Sequence, residues 1–159
     1  MLYCVDPWED QPATYLEQVK FLADCNGDRR RDLRETQKNL ALPLQFKTAT
    51  LLQMRSDEAA PQFQDNSVDL VYIDGDHQRE GVQLDVDLWW PKIKPGGILA
   101  GHDFICPGER DTSPNGWGVH VQPVVLEFAG KYNLDVRLVI ENSEETQGHP
   151  WSWYVDKPK

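Results

Sequence analysis

Long apolar runs are missing from this chain. No stretch of its 159 residues approaches the roughly 20 consecutive apolar residues that cross a bilayer, so no membrane partner is expected. Leu2-Tyr3-Cys4-Val5 is too short for the apolar centre of a secretory signal. Cysteine is scarce as well. Cys4, Cys25 and Cys106 are scattered, odd in number and without metal-ligand spacing. That excludes a disulfide scaffold and leads to the expectation of a reduced, cytoplasmic setting. Positive charge is in deficit, with a formal net charge of -10. Phosphate-rich partners need a basic surface, so nucleic acid and anionic membrane are not expected partners. Repeats and low-complexity segments are also lacking. A single domain over residues 1–159 is expected, long enough to bury a core.

What the chain does have is concentrated between Ser67 and Phe104. Val68 to Ile73 is an apolar run interrupted only by Asp69, which suits a strand buried on both faces, as in a parallel sheet. It ends in Asp74-Gly75-Asp76-His77, residues no core strand favours. Val82, Val86, Trp89 and Trp90 then fall at i, i+4, i+7 and i+8, one apolar stripe of a helix. Lys94-Pro95-Gly96-Gly97 is expected to stop that helix. A second apolar strand, Ile98 to Gly101, ends in His102-Asp103. Strand, helix and strand make a parallel unit, and ligands of open α/β sheets bind outside the carboxyl ends of the strands. Asp74, Asp76, His77, His102 and Asp103 are therefore expected on one rim.

The flanking pattern extends the same architecture. Leu2 to Val5 reads as a short strand ending at Asp6-Pro7-Trp8. Helices are expected over Pro12 to Ala23 and Arg29 to Leu40, with a turn at Asn26-Gly27-Asp28 and Asp28 capping the second helix. The triplet Arg29-Arg30-Arg31 reads as a solvated face. Pro43 is expected to break that second helix, and Thr48 to Met54 to form a strand. Ser56-Asp57-Glu58 is expected to cap a short helix to Phe63. A long Gly- and Pro-rich loop runs from Phe104 to Gly118. It precedes a helix from Val119 to Tyr132, with Pro123 tolerated in its first turn. Strands at Leu134 to Ile140 and Trp151 to Val155, joined by the polar residues 141–150, close the chain as an antiparallel pair. Alternating strands and helices give an α/β fold with a mostly parallel sheet and an antiparallel C-terminal strand.

Carboxylates and imidazoles at neighbouring strand ends have three chemical uses. Asp74 and Asp103 offer hard oxygens and His102 a nitrogen, a donor set suited to Mg²⁺, Mn²⁺ or Fe²⁺. His77 titrates in the range needed of a general base near neutral pH. A strand-end carboxylate also accepts hydrogen bonds from ribose hydroxyls. A lone Asp at a strand end is ordinarily a cap or turn residue. The combination of Asp-x-Asp-His on one strand end and His-Asp on the next is required by no rule of strand termination.

This pattern resembles class I S-adenosylmethionine-dependent methyltransferases of the metal-dependent O-methyltransferase branch. The carriers are Ile73-Asp74-Gly75-Asp76-His77, Glu80-Gly81-Val82, Ile93-Lys94-Pro95-Gly96-Gly97 and Gly101-His102-Asp103-Phe104. Val5-Asp6-Pro7-Trp8, Ser56-Asp57-Glu58-Ala59-Ala60 and Trp151-Ser152-Trp153-Tyr154 extend the similarity. The resemblance implies a Rossmann-like methyltransferase fold with S-adenosylmethionine as cofactor. It places Asp6 at the ribose, Ser56 and Asp57 at the adenine, and Asp74 at the cofactor side of the rim. It assigns Asp74, His102 and Asp103 to a divalent metal, Mg²⁺ or another. It assigns His77 as the base on the hydroxyl of a small-molecule or sugar acceptor. Relatives often carry an acidic residue at the position of His102.

The resemblance also carries a departure. No glycine-rich E/D-x-G-x-G-x-G turn occurs in the sequence, and the first residues match the family's second strand. The chain is thus expected to lack the first strand, its glycine loop and the first helix. Their loss would expose a sheet edge, open to a second copy of the chain. Two further readings stand beside the methyltransferase. One is a truncated, non-catalytic binding or assembly module. The other is a metal-dependent hydrolase using Asp74, Asp76, His77, His102 and Asp103 directly.

Overall fold

The structure, a computed structural model, describes residues 1–9, 29–104, 120–139 and 151–159. The expected helix 12–23, the turn at 26–28, the loop beyond Phe104 and the connection 141–150 lie outside them. Two compact units emerge, Met1–Ala59 and Ala60–Lys159.

In the first unit, β1 (Leu2–Val5) pairs in parallel with β2 (Ala49–Leu52), from Leu2↔Ala49 to Val5↔Leu52. The Asp6 amide extends the ladder by donating to the Leu52 carbonyl at 3.2 Å. Helix α1 spans Arg29–Asn39 with no buried residue, as its charge-rich sequence implies. Pro43 does not break the chain's helical course. It is the third residue of a five-residue helix, α2 (Ala41–Gln45), within the first turn, where a missing N–H costs nothing. Its carbonyl then accepts from the Thr48 amide at 2.8 Å. Helix α3 is Ser56–Ala59, followed by a 3₁₀ turn at Ala60–Gln62. The side chain that caps it is Glu58, whose carboxylate accepts from the Arg55 amide at 3.0 Å. This is the reaching-back half of a capping box, one residue earlier than Ser56 suggested.

The second unit holds a four-stranded sheet in the order β3-β4-β6-β5. Its strands are β3 (Val68–Ile73), β4 (Ile93–Phe104), β5 (Arg137–Val139) and β6 (Trp151–Asp156). β3 and β4 run parallel, while β6 is antiparallel to both β4 and β5. The expected antiparallel ending is present, with the last strand wedged into the sheet. Helices α4 (Arg79–Trp89) and α5 (Val121–Tyr132) cover one face. Val82 and Val86 of α4 and Val124, Val125 and Phe128 of α5 pack with Leu99, Trp153 and Val155 in one core. Trp90 meets Phe128 edge-on at a centroid distance of 5.2 Å. Helix α5 ends at Asn133 in the left-handed conformation (φ 54°). The Leu134 amide then returns to the Ala129 carbonyl at 2.9 Å, closing a Schellman-type cap.

Two expectations about this unit are corrected. β3 is not buried on both faces. It lies at one end of the sheet order, so Val71 and Ile73 face the core while Leu70 and Tyr72 are 53% and 50% exposed. Asp69 is tolerated among them because its side chain is 86% exposed, and it pairs there with Lys94 Nζ at 2.6 Å. Nor does Lys94-Pro95-Gly96-Gly97 stop helix α4. Pro91 has already turned the chain into a 3₁₀ segment, Trp90–Lys92. The Pro-Gly-Gly stretch instead forms an irregularity inside β4, where Val68↔Ile93 is followed by Leu70↔Ile98. Lys157 braces this junction from beyond β6. Its ammonium donates to the carbonyls of Trp90 (3.0 Å) and Ile93 (2.7 Å) and to Asn66 Oδ1 (3.2 Å).

Candidate functional site

The second unit assembles the rim that the sequence predicts. β3 delivers Asp74 and, through a short turn, His77; β4 delivers His102 and Asp103 from the neighbouring strand end. Asp103 is where they meet. Its Oδ2 lies 3.1 Å from His77 Nε2 and 3.4 Å from His102 Nδ1. Asp74 Oδ1 stands 3.7 Å from His77 Nε2, a distance at which attraction is electrostatic rather than a hydrogen bond. The side chains of Asp103 and His77 are 14% and 20% exposed, so their charges are poorly screened. Asp74 is the largest influence on His77 and raises its pKa against burial, with the charges of Asp103 and Asp76 adding to the rise. Reciprocally, His77 is foremost in holding the Asp74 carboxyl below its ordinary range.

Backbone irregularity sets these directions. Between Gly101↔Trp153 and Phe104↔Trp151, three steps on β4 oppose two on β6. Such a bulge re-aims side chains. Asp103 takes a left-handed φ of 59° there, a conformation Asp tolerates better than most residues. Trp153 steadies the bulge. It is 1% exposed, and its indole N–H donates to the His102 carbonyl at 3.2 Å. Gly101 is required beside it, since a Cβ there would come within 2.6 Å of the Ile73 carbonyl and 2.8 Å of the Trp153 ring.

Asp74, His102 and Asp103 each place one donor atom within 4.8 Å of the others. Two carboxylate oxygens and one imidazole nitrogen fit a hard or borderline divalent cation. Ile73, Asp74, His77, Val82, His102 and Trp153 line a shallow hollow at this rim. Asp76 also lines this hollow, and its Oδ1 accepts from the Gln78 amide at 2.9 Å, which shapes the entry to α4. Gly81 follows from this, because a Cβ there would approach Asp76 Oδ2 to 2.6 Å. The sequence reading missed two residues. Trp153 carries no chemical group that marks it. Asp85, the buried charged residue among those described, sits on the apolar stripe between Val82 and Val86. A carboxylate at such a position was the signal available.

The first unit places the remaining candidates at the carboxyl ends of its own parallel pair. Asp6 follows β1; Ser56 and Asp57 follow β2. Asp6 Oδ1 accepts the Trp8 amide at 2.6 Å, and its Oδ2 accepts from the Arg29 guanidinium at 2.5 Å. Arg29 is therefore not part of a solvated face, unlike the exposed Arg30 and Arg31. Asp57 pairs with Arg55 at 3.0 Å, and that guanidinium holds its carboxyl below the usual range.

The comparisons with known proteins bear on family and fold. A family described as a methyltransferase domain matches residues 1–104. An uncharacterized protein, y4gI, of Sinorhizobium fredii is 38% identical over 69 residues, covering 43% of this chain and 7% of that protein. The chain thus spans under a tenth of that relative's length. Among solved structures, the O-methyltransferase NovP aligns at a TM-score of 0.57 and 15% identity, over 99% of this chain and 60% of its own. An O-methyltransferase from Bacillus cereus, solved with SAH, aligns at 0.50 and 13% identity, over 69% of this chain and 50% of its own. The family match spans both strand pairs and all four residues of the second rim, and the likeness to solved structures is one of fold. The chain belongs to this methyltransferase-domain family and has its Rossmann-like fold.

Proposed function

We propose that the chain carries the acceptor and adenosine-binding portions of an S-adenosylmethionine-dependent O-methyltransferase acting on a small-molecule or sugar hydroxyl. The observation that supports this most is the meeting of His77 with Asp103 at 3.1 Å, beside the donor cluster of Asp74, His102 and Asp103. S-adenosylmethionine would supply the methyl group and its sulfonium leaving group. A divalent cation held by Asp74, His102 and Asp103 would supply Lewis acidity toward the acceptor hydroxyl. His77 takes the hydroxyl proton, while its Nε2 faces the carboxylates of Asp103 and Asp74. Those two carboxylates fix the imidazole and stabilise its protonated form once the proton has moved. Asp6 accepts hydrogen bonds from the ribose hydroxyls, and Ser56 and Asp57 border the adenine. Positioning of the deprotonated oxygen in line with the methyl group contributes much of the rate.

The net charge of -10 accords with a small-molecule acceptor and not a nucleic acid. Calorimetry with S-adenosylhomocysteine, followed by radiolabelled methyl transfer to a panel of vicinal-diol and sugar acceptors with Mg²⁺ or Mn²⁺, tests the proposal. Binding with metal-stimulated turnover is expected. Absence of binding at millimolar ligand overturns it. Binding without turnover on any acceptor would favour the non-catalytic binding module.

A further inference from the structure

Neither register of β4 includes His102 or Asp103. Pairing with β3 stops at Ile73↔Gly101, and pairing with β6 passes from Gly101↔Trp153 to Phe104↔Trp151. Ladder pairing therefore does not set the backbone direction of these two residues. Asp103 nevertheless holds a left-handed φ of 59°. A residue other than glycine keeps such a conformation only where its surroundings over-determine it. The conformation matters to the rim. It accompanies an Asp103 carboxylate that lies 3.1 Å from His77 Nε2 and offers an oxygen within 4.8 Å of the donor atoms of Asp74 and His102.

Trp153 supplies a constraint at this point. Its indole N–H donates to the His102 carbonyl at 3.2 Å. That carbonyl and the Asp103 nitrogen belong to one planar peptide group. Fixing the direction of the carbonyl fixes the plane, and φ of Asp103 is the rotation between that plane and the rest of the residue. The donor is itself held firmly. Trp153 is 1% exposed and belongs to the core that contains Val124, Val125 and Phe128 of α5. Gly101, its cross-strand partner, lacks the Cβ that would come within 2.8 Å of the indole nitrogen. The same ring also lines the hollow at the rim. A core side chain thus reaches the peptide that carries Asp103.

We propose that Trp153 is a positioning residue of the metal-binding rim, acting through the peptide between His102 and Asp103. Its indole N–H holds Asp103 in the left-handed conformation from which the carboxylate joins Asp74 and His102 around a divalent cation. Trp153 acts without contacting that cation. This rests on the metal role proposed for Asp74, His102 and Asp103, and extends it to a core residue on the last strand. The ring's volume fills the core and its N–H orients the rim, so the two contributions can be separated.

The test replaces Trp153 with benzothienylalanine, which keeps the bicyclic shape and puts sulfur in place of the N–H, and compares it with Trp153→Phe. Manganese affinity is followed by electron paramagnetic resonance and folding by urea unfolding. The isostere should weaken manganese binding by about 10-fold, the lower end of the range for losing an outer-shell partner of a metal site, with little change in its urea midpoint. Trp153→Phe loses the same N–H and core volume as well. It should be less stable than the isostere but bind manganese no more weakly. An isostere that binds manganese as tightly as the unmodified chain overturns the proposal, whether or not Trp153→Phe folds. Manganese affinity that falls in step with stability across the two variants assigns Trp153 a packing role, and also overturns it. Failure of the unmodified chain to bind manganese overturns the metal reading of Asp74, His102 and Asp103, and the role of Trp153 with it.

Discussion

Two parallel strand pairs in this protein end in carboxylates, and each pair answers them with a different cation. After β1 and β2, Asp6 faces Arg29 and Asp57 faces Arg55. After β3 and β4, Asp74 and Asp103 face His77 and His102. A guanidinium stays charged at any pH the protein meets and presents fixed donors, so the first arrangement suits the holding of a neutral polar ligand. An imidazole accepts and releases a proton near neutrality and also binds metal as the neutral base, so the second suits chemistry. On the proposed function, similar backbone geometry serves two purposes, divided by the choice of arginine or histidine.

Four experiments probe that division. The largest effect is expected at His77. His77→Gln should lower methyl transfer by about 10²- to 10⁴-fold, the range for a general base, while S-adenosylhomocysteine affinity stays within about twofold. Equal losses in both would mean that the two rims do not divide binding from chemistry. Next comes Asp103→Asn, at the meeting point of the second rim. Manganese affinity, followed by electron paramagnetic resonance, should fall at least about 10-fold, since even outer-shell partners cost 10- to 100-fold. Asp6→Asn should leave manganese affinity where it was.

Smaller effects separate scaffold from chemistry. Lys157 belongs to neither rim and donates to Asn66, Trp90 and Ile93. Lys157→Met should cost about 1–3 kcal/mol in urea unfolding, because it strands two backbone carbonyls, without altering metal or cofactor binding. The smallest effect is a pH dependence. Burial lowers the Lys157 pKa below its ordinary 10.5. In the window between the folded value and 10.5 the unfolded chain binds more protons, so stability rises with pH there. The stability of the wild type relative to Lys157→Met should therefore increase as pH rises through that window. A decrease would mean that favourable charge contacts outweigh burial at this ammonium.

The site was more legible in the sequence than its surroundings. Asp74, His77, His102 and Asp103 could be placed on one rim because parallel strands joined by a helix bring their carboxyl ends side by side. No contact distance is needed for that inference. The exposure of Leu70 and Tyr72 was not legible, since an apolar run reads the same in a central strand and at the end of a sheet order. Pro95-Gly96-Gly97 was read as a helix stop because local signals mark irregularity without saying whether a turn or a strand irregularity contains it. Arg29 was read as solvent-facing because its partner Asp6 is remote in sequence. Trp153 was placed only as part of a closing strand, although its indole fixes the His102 carbonyl. Long-range support of this kind leaves no periodic trace.

Glycine at position 81 has a consequence for how this sequence can drift. A Cβ there would lie 2.7 Å from the Asp76 Cβ and 2.6 Å from its carboxylate. Trimming Asp76 to alanine would therefore not make room, and only one of the two positions can carry a side chain. The pair constitutes a mutually exclusive choice: relatives that place any other residue at 81 should place glycine at 76. They would then have to shape the entry to α4 without the carboxylate that now accepts the Gln78 amide.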